Sequence, residues 1–319
     1  MVDTPVDSGR PGTPPAARRG RLLAAAALCC ALVMALNSHV PNGIGNAGSL
    51  LQTLLPWTAL GIPLLLALAA VSRSRLAVCA VLLPTVVWAS LFGGVLTDKR
   101  SGGGDFTVIS HNVDEANSDP AGTARALAAS GADLLALEEL SATATLAYER
   151  ELAGTYRYHS VHGGVGLWSK NPMRSVEIVP IMPWTRAVRA TVDTPKGPVA
   201  VFAAHLASVR VLPTAGFTTS RRNEAALKLA DAVRAEPLPR VVVLGDLNGT
   251  TTDSALAPVT SRLRSAQREA GNGFGFTWPA SFPVVRIDEI LVKGMAPVAA
   301  WTLPATGSDH LPVAASLRW

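Results

Sequence analysis

Arg240-Val241-Val242-Val243-Leu244-Gly245-Asp246-Leu247-Asn248 decides the fold. Residues 240–244 read as a central apolar strand, rich in β-branched residues. The run stops at a glycine and delivers a carboxylate and an amide. The same form recurs on both sides. Phe106–His111 is an apolar strand ending in His111-Asn112. Asp133–Leu137 runs into Glu138-Glu139, and Pro198–His205 ends in an imidazole. Arg286–Val292 carries Asp288 near its start, and Gly307-Ser308-Asp309-His310 precedes a last strand over Pro312–Leu317. Val165–Ser169 and Ala187–Val192 are further strands.

Helices alternate with these strands. One spans Ala121–Ala129 and stops at Ser130-Gly131. A second runs from a Ser141 cap to about Leu152. A third runs from a Ser220 cap to Ala235, with Leu227, Leu229, Ala230 and Val233 facing inward and Pro237 and Pro239 beyond its end. About 215 residues patterned this way make a layered α/β domain with sheets inside and helices outside.

Outside this region the composition changes. The chain has 319 residues, 49% hydrophobic and only 16% charged. No Asp, Glu, Lys or Arg occurs over 22–72 or 76–97. Three apolar runs, Leu22–Leu36, Leu51–Val71 and Leu76–Leu96, are expected as transmembrane helices, since about 20 residues cross a hydrocarbon core. The expected organisation is a disordered cytoplasmic tail over 1–20, a three-span anchor over 21–97, a Gly-rich linker over 98–104 and a catalytic domain over 105–319. Arg18, Arg19 and Arg21 precede the first run, and Arg73 and Arg75 separate the second from the third. The positive-inside rule then places the C-terminal domain outside the cytoplasm of a multi-pass cell-membrane protein. Ala17-Arg18-Arg19-Gly20-Arg21-Leu22-Leu23 also resembles a twin-arginine export signal, but no small-residue cleavage site follows Leu36.

Eight of the 28 basic and three of the 23 acidic residues lie in 1–104, which leaves twenty of each in 105–319. The net charge of +5 therefore belongs to the anchor. Composition lends no support to a basic nucleic-acid face. Cys29, Cys30 and Cys79 all lie in the apolar stretches, so 105–319 has no disulfide, cysteine nucleophile or thiolate zinc site. No serine nucleophile elbow or Walker-type loop is present. The strand-end set is carboxylate, amide and imidazole. Oxygen donors of this kind suit Mg²⁺ or Mn²⁺, and the histidines suit acid–base work.

Seven segments in order resemble the endonuclease/exonuclease/phosphatase superfamily, metal-dependent phosphoesterases with the fold of pancreatic deoxyribonuclease. They are Thr107-Val-Ile-Ser-His-Asn112, Asp133-Leu-Leu-Ala-Leu-Glu-Glu139, Gly166-Leu-Trp-Ser-Lys-Asn-Pro172, His205-Leu206, Gly245-Asp-Leu-Asn248, Arg286-Ile-Asp288 and Ser308-Asp-His310. The chain departs from the pattern at Glu138, where Gln is usual, at Ala204 for Thr, and at Glu289 for His or Tyr. The resemblance implies a four-layer α/β sandwich, two facing mixed β-sheets flanked by helices. It implies Mg²⁺ (or Mn²⁺) on Glu139, Asn112 and Asp309, and a His310–Asp288 pair that deprotonates the attacking water. It further implies that Asp246 and Asn248 position phosphate and nucleophile, and that His205 donates to the developing charge. Arg186 and Trp278 are expected at the rim. The substrate is a phosphate ester. Nucleic acid outside the cell, a lipid headgroup or small phosphodiester, and a catalytically silent binding protein on the same fold are the readings that follow. The bilayer is a partner through the three spans, and no obligate protein partner is implied.

Overall fold

The structure, a computed structural model, describes residues 15–319. The tail expected over 1–20 lies outside the described residues as far as residue 14, and the helix α1 (Pro15–Ala35) takes up the rest. The chain forms two compact units. One comprises the chain up to Asn37 with Leu55–Gly93, the other Ser38–Leu54 with Gly94–Trp319.

The first unit contains α1, α3 (Gly61–Val71) and α4 (Arg75–Phe92); α2 (Ala47–Leu54) belongs to the second. α1 packs along α4 through Ala27, Ala31 and Met34, one stripe at helical spacing. Its other faces carry Leu22, Leu28, Leu32 and Leu36, all 47–64% exposed. α3 and α4 likewise expose Leu64, Leu68, Leu82 and Val86. By length and composition two helical stretches can cross a membrane, Ala47–Val71 and Arg75–Leu96. The expectation of three is thus met in two. α1 falls short because Arg18, Arg19 and Arg21 occupy its first turns.

The second unit is a sandwich of two six-stranded mixed sheets. The first has the order β13-β14-β1-β2-β4-β3, built from β1 (Phe106–Asn112), β2 (Leu134–Glu138), β3 (Tyr158–His162), β4 (Val165–Ser169), β13 (Ala296–Thr302) and β14 (Val313–Arg318). The second has the order β11-β12-β10-β7-β6-β5, built from β5 (Met173–Ile178), β6 (Ala187–Thr194), β7 (Gly197–Ala204), β10 (Val241–Asp246), β11 (Arg264–Ser265) and β12 (Asp288–Lys293). A small hairpin, β8 (Val211–Leu212) and β9 (Gly216–Phe217), stands apart. β1 runs parallel to β2, and β10 parallel to β7, while β14 and β12 return antiparallel beside them. The C-terminal ends of β1, β2, β7 and β10 therefore meet the N-terminal ends of β12 and β14.

Alternation along these strands makes the layers. Val108, Leu134, Ala136, Val201, Val242, Leu244 and Ile290 fill the space between the sheets. The opposite face of the first sheet packs Ile109, Leu135 and Trp168 under α5 (Pro120–Ala129) and α6 (Ala142–Leu152). The opposite face of the second packs Phe202 and Val243 under α7 (Ser220–Ala235). Two short helices, α8 (Ala257–Thr260) and α9 (Ala266–Ala270), complete the rim. Ser141 caps α6, its Oγ accepting from Ala144 N at 3.2 Å, but α7 starts from Thr219 with no side-chain cap.

The inward face of α7 is Ala225, Ala226, Leu229, Ala230 and Val233. Leu227, expected inward, is 53% exposed because it lies two residues off that stripe. Leu229→Ala is expected to destabilise the chain by about 2–5 kcal/mol and Leu227→Ala by no more than about 0.5 kcal/mol. Thermal melting of the detergent-solubilised chain checks this; equal losses would refute the register.

The glycine stretch expected to be a flexible linker is held on the domain. Ser101 N donates to Val298 O at 2.7 Å and Asp105 N to Leu317 O at 2.7 Å. Residues 38–54 also belong here. Asn46 Nδ2 donates to Phe217 O at 2.6 Å, and Phe217 N to Gly45 O at 2.8 Å.

Candidate active site

The face of each strand that forms the inter-sheet core turns polar at one end. Two residues beyond Val108 lies Ser110, then Asn112; beyond Ala136 lies Glu138; beyond Ala203, His205; beyond Leu244, Asp246. Asp288 precedes Ile290 on the same face. The period of two that builds the core therefore aims these groups at one another. Gly245 permits it. It has φ +146°, and a Cβ there would come within 1.9 Å of Ala204 O. Glu139 (φ +58°) and Asn248 (φ +47°) turn the chain just past two strand ends, in the left-handed region that non-glycine residues seldom occupy.

All eight residues expected at the site come together, and Asp246 is the hub. Its Oδ2 accepts from Asn112 Nδ2 and from Asn248 Nδ2, both at 3.1 Å, and its Oδ1 from Asn248 N at 2.8 Å. His205 Nε2 lies 3.6 Å from Asp246 Oδ2 and 3.5 Å from Glu139 Oε1. His310 Nδ1 sits on Asp288 at 2.9 Å, and its Nε2 lies 3.9 Å from Asp246 Oδ2 and 3.8 Å from Asp309 Oδ1. Asp246, Asp288 and His310 form a buried group whose ligand atoms are mutually within 4.8 Å. Asn112 bonds to Asp246, Glu139 lies 3.5 Å from His205 and Asp309 lies 3.8 Å from His310. Both rim residues are in place. Trp278 Nε1 donates to Asp309 Oδ2 at 3.0 Å, and Arg186 donates to His205 Nδ1. The same guanidinium nitrogen also lies 3.2 Å from His205 Nε2, the ring nitrogen that faces Glu139 and Asp246.

Electrostatics follow from burial. Burial first, then Asp288, raises Asp246 to about 7. Burial also pushes Glu138 well above the usual carboxylate range, again with Asp288 adding to it. Burial opposes charge on His310, but Asp288, Asp246 and Asp309 outweigh it and hold the imidazole at about 10. His205 is driven well below its ordinary value by burial, Arg186 and His310, and stays neutral. The cluster thus gathers buried carboxyl groups around one imidazolium, with no thiolate in reach. Glu138 Oε2 is buried without a partner. Hard oxygen donors carrying excess negative charge fit a divalent cation such as Mg²⁺ or Mn²⁺.

Residue-by-residue reading missed several supports. Glu138, which stands where the resembling family has Gln, is fully buried, and its Oε1 accepts from Ser110 Oγ at 3.1 Å. Ser308 Oγ donates to Asn112 O at 2.6 Å and accepts from His310 N at 3.0 Å, tying two site segments together. The departure Glu289 is buried beside Arg286, whose Nε donates to it at 3.2 Å, so it serves an ion pair away from the cluster. The period of two could have signalled Glu138, which continues the Leu134 and Ala136 face.

Residues 109–310 match the model of the Endonuclease/Exonuclease/phosphatase family. Solved structures share the fold at low identity. The mannosyl-6-phosphatase of Bacteroides thetaiotaomicron is 17% identical, with a TM-score of 0.56 over 67% of this chain and 100% of that one. TDP2 of D. rerio, complexed with a single-strand DNA product, is 18% identical, with a TM-score of 0.55 over 67% and 99%. The beta toxin of Staphylococcus aureus is 15% identical, with a TM-score of 0.54 over 66% and 99%. No curated protein matches the sequence.

Proposed function

The chain belongs to the Endonuclease/Exonuclease/phosphatase family, and from that premise we propose that it is a membrane-anchored, metal-dependent phosphoesterase that cleaves its substrate by water attack. One observation carries the reading: the His310–Asp288 pair abuts Asp246 in a buried cluster at the convergent strand ends.

Asn112, Glu139 and Asp309, arranged about Asp246, would hold Mg²⁺ or Mn²⁺. Bound there, such a cation would polarise a phosphoryl oxygen and offset the carboxylates that hold His310 charged. His310 then takes the proton of the attacking water at Nε2, while its Nδ1–H stays on Asp288, which fixes the tautomer and stabilises the imidazolium. Asp246 and Asn248 orient water and phosphate. Neutral His205 donates from Nε2 to the charge that builds on the phosphoryl or leaving oxygen. The bond from phosphorus to the leaving oxygen breaks, the alkoxide takes a proton from solvent, and His310 returns to solvent the proton it took from the water.

Three spans fit the first unit best. α1 exposes Leu22, Leu28, Leu32, Val33 and Leu36, a surface suited to hydrocarbon. A Cβ at Gly20 would touch Ser74 Oγ at 2.2 Å, so Arg18, Arg19 and Arg21 gather at the same end as Arg73 and Arg75. That end is then cytoplasmic. Residues 38–54 pack on the catalytic unit, so both lie on one side of the bilayer, with an even number of crossings between them. With α1 spanning as well, that side is extracytoplasmic. Protease added to intact cells is expected to remove the C-terminal domain; a domain protected until the membrane is broken overturns the orientation.

The balanced charge of 105–319 favours a lipid headgroup or small phosphate ester over a long nucleic acid. The deciding assay gives the detergent-solubilised chain Mg²⁺ or Mn²⁺ and three substrates: plasmid DNA, a sphingomyelin analogue and a generic phosphodiester. Hydrolysis of none would leave the silent binding protein as the reading.

A further inference from the structure

α2 buries the wrong face for a lipid-facing helix. Gly48, Ser49 and Gln52 are buried, while Leu54 is 45% exposed. Buried hydroxyl and amide groups need partners, and these lie some two hundred residues away in the turn after β10. Ser49 Oγ donates to Asp253 Oδ1 at 3.0 Å. Gln52 Oε1 accepts from Ser254 N at 2.9 Å and from Ser254 Oγ at 3.1 Å, and Gln52 O accepts from Thr252 Oγ1 at 3.0 Å. The other oxygen of Asp253 accepts from Arg222 Nη2 at 2.6 Å, and Arg222 Nη1 donates to Asn248 O at 3.3 Å. Neither the Arg222 nor the Asp253 side chain reaches solvent. A continuous chain of polar contacts thus runs from Ser49 through Asp253 and Arg222 to the backbone of Asn248.

The close approach is built in. Gly45 and Gly216 both have positive φ, and a Cβ on Gly216 would lie 2.5 Å from Gly45 Cα. The loop between the first two apolar runs therefore seats on the β8–β9 hairpin by close backbone approach, with the Asn46 amide bonded to Phe217 O beside it.

We infer that residues 38–54 are a working part of the catalytic domain, with Ser49 and Gln52 as positioning residues that hold the turn 248–254 and, through Asp253 and Arg222, the placement of Asn248. This rests on the phosphoesterase reading for its effect on turnover, but not for its effect on the turn. Asn248 sits in a left-handed conformation, and such backbone persists only where its surroundings hold it. Without the clamp the turn opens more often, and Asn248 leaves Asp246 for part of the time. Neither Ser49 nor Gln52 touches substrate or the site carboxylates, so substrate binding is little affected.

The test uses the full chain in detergent micelles, as wild type, Ser49→Ala, Gln52→Ala and the exposed control Leu54→Ala. Hydrogen exchange of the 247–254 peptide is read first, because it needs no substrate. Exchange there is expected to quicken several-fold in Ser49→Ala and Gln52→Ala, with no change in the β1 or β4 peptides and none in Leu54→Ala. On a generic phosphodiester, kcat is expected to fall about tenfold while KM stays within twofold, the mark of an effect on the reacting geometry. Unchanged exchange of 247–254 in both variants overturns the inference, whatever the activity. A wild type without phosphodiesterase activity sinks the functional reading and leaves exchange to decide this one. Should Gln52→Ala fail to fold, Ser49→Ala, which removes a single hydroxyl, carries the test.

Discussion

His310→Gln is expected to lower turnover by roughly 10³-fold or more, with KM changed far less. The His310 side chain is only 8% exposed and is held at 2.9 Å by Asp288, and glutamine can keep a hydrogen bond there but cannot take a proton. The fold should survive, since residue 310 contributes no apolar area to the cores described above. Asp288→Asn removes the charge that does most to hold His310 protonated and leaves an amide that can present its donor to Nδ1. It is expected to cost nearly as much, and the double variant little more than either single one, because the two residues act as a unit. Steady-state kinetics on a generic phosphodiester read all three. Turnover within tenfold of wild type for His310→Gln would remove the proposed base.

Chelation is expected to abolish hydrolysis, and Asp246→Asn to lower turnover by at least about 10²-fold, because the hub carboxylate touches both amides and faces both histidines. The pH dependence of ion binding gives a second readout. Asp246 has its pKa raised to about 7, so in the cation-free protein it is mostly protonated below that pH. A divalent ion must displace that proton. Affinity for Mn²⁺ should therefore rise up to about tenfold per pH unit toward pH 7 and less steeply above it. Glu138 shifts in the same direction and extends the rise, and His310, charged up to about pH 10 without the ion, must release its proton to serve as base beside it, which adds a shallower rise above pH 7. In Asp246→Asn the step near pH 7 should disappear. Titration calorimetry with Mn²⁺ at pH 6, 7 and 8 reads both proteins. Hydrolysis unchanged in excess EDTA would end the metal-dependent mechanism.

These expectations rest on residues of unequal legibility. His111-Asn112, Glu138-Glu139, His205 and Asp246-Leu247-Asn248 stand where apolar runs end, and Asp288 and Asp309-His310 stand where runs begin; the family resemblance, not the pattern, singled out Asn112 and Glu139 and gave the set its roles. Strands buried on both faces write themselves as such runs, and the residue after the run must be at the strand end. The central strands β1, β2, β7, β10, β12 and β14 were legible for the same reason. β3, β5 and β13 were not, since they lie at or beside sheet edges and are half exposed, so neither alternation nor an apolar run marks them. Leu227 was misplaced because only the sheet beneath α7 tells which stripe of an alanine-rich helix turns inward.

The sequence by itself determined two membrane-compatible stretches, the layered α/β architecture and the polar residues that gather at the strand ends, because hydrophobic period and strand-end chemistry are local properties of the chain. Tertiary structure alone decided that Asp246 is the hub, that Glu138 is a buried acid rather than a solvated one, and that the Gly-rich stretch before β1 lies against the domain. It also decided that α2 buries Ser49 and Gln52 instead of its leucines. Each of these depends on a partner far along the chain: Asp288 for Glu138, Val298 and Leu317 for the glycine stretch, Asp253 and Ser254 for α2. A buried polar group goes where its hydrogen bonds are met, and no periodicity in the chain records where that is.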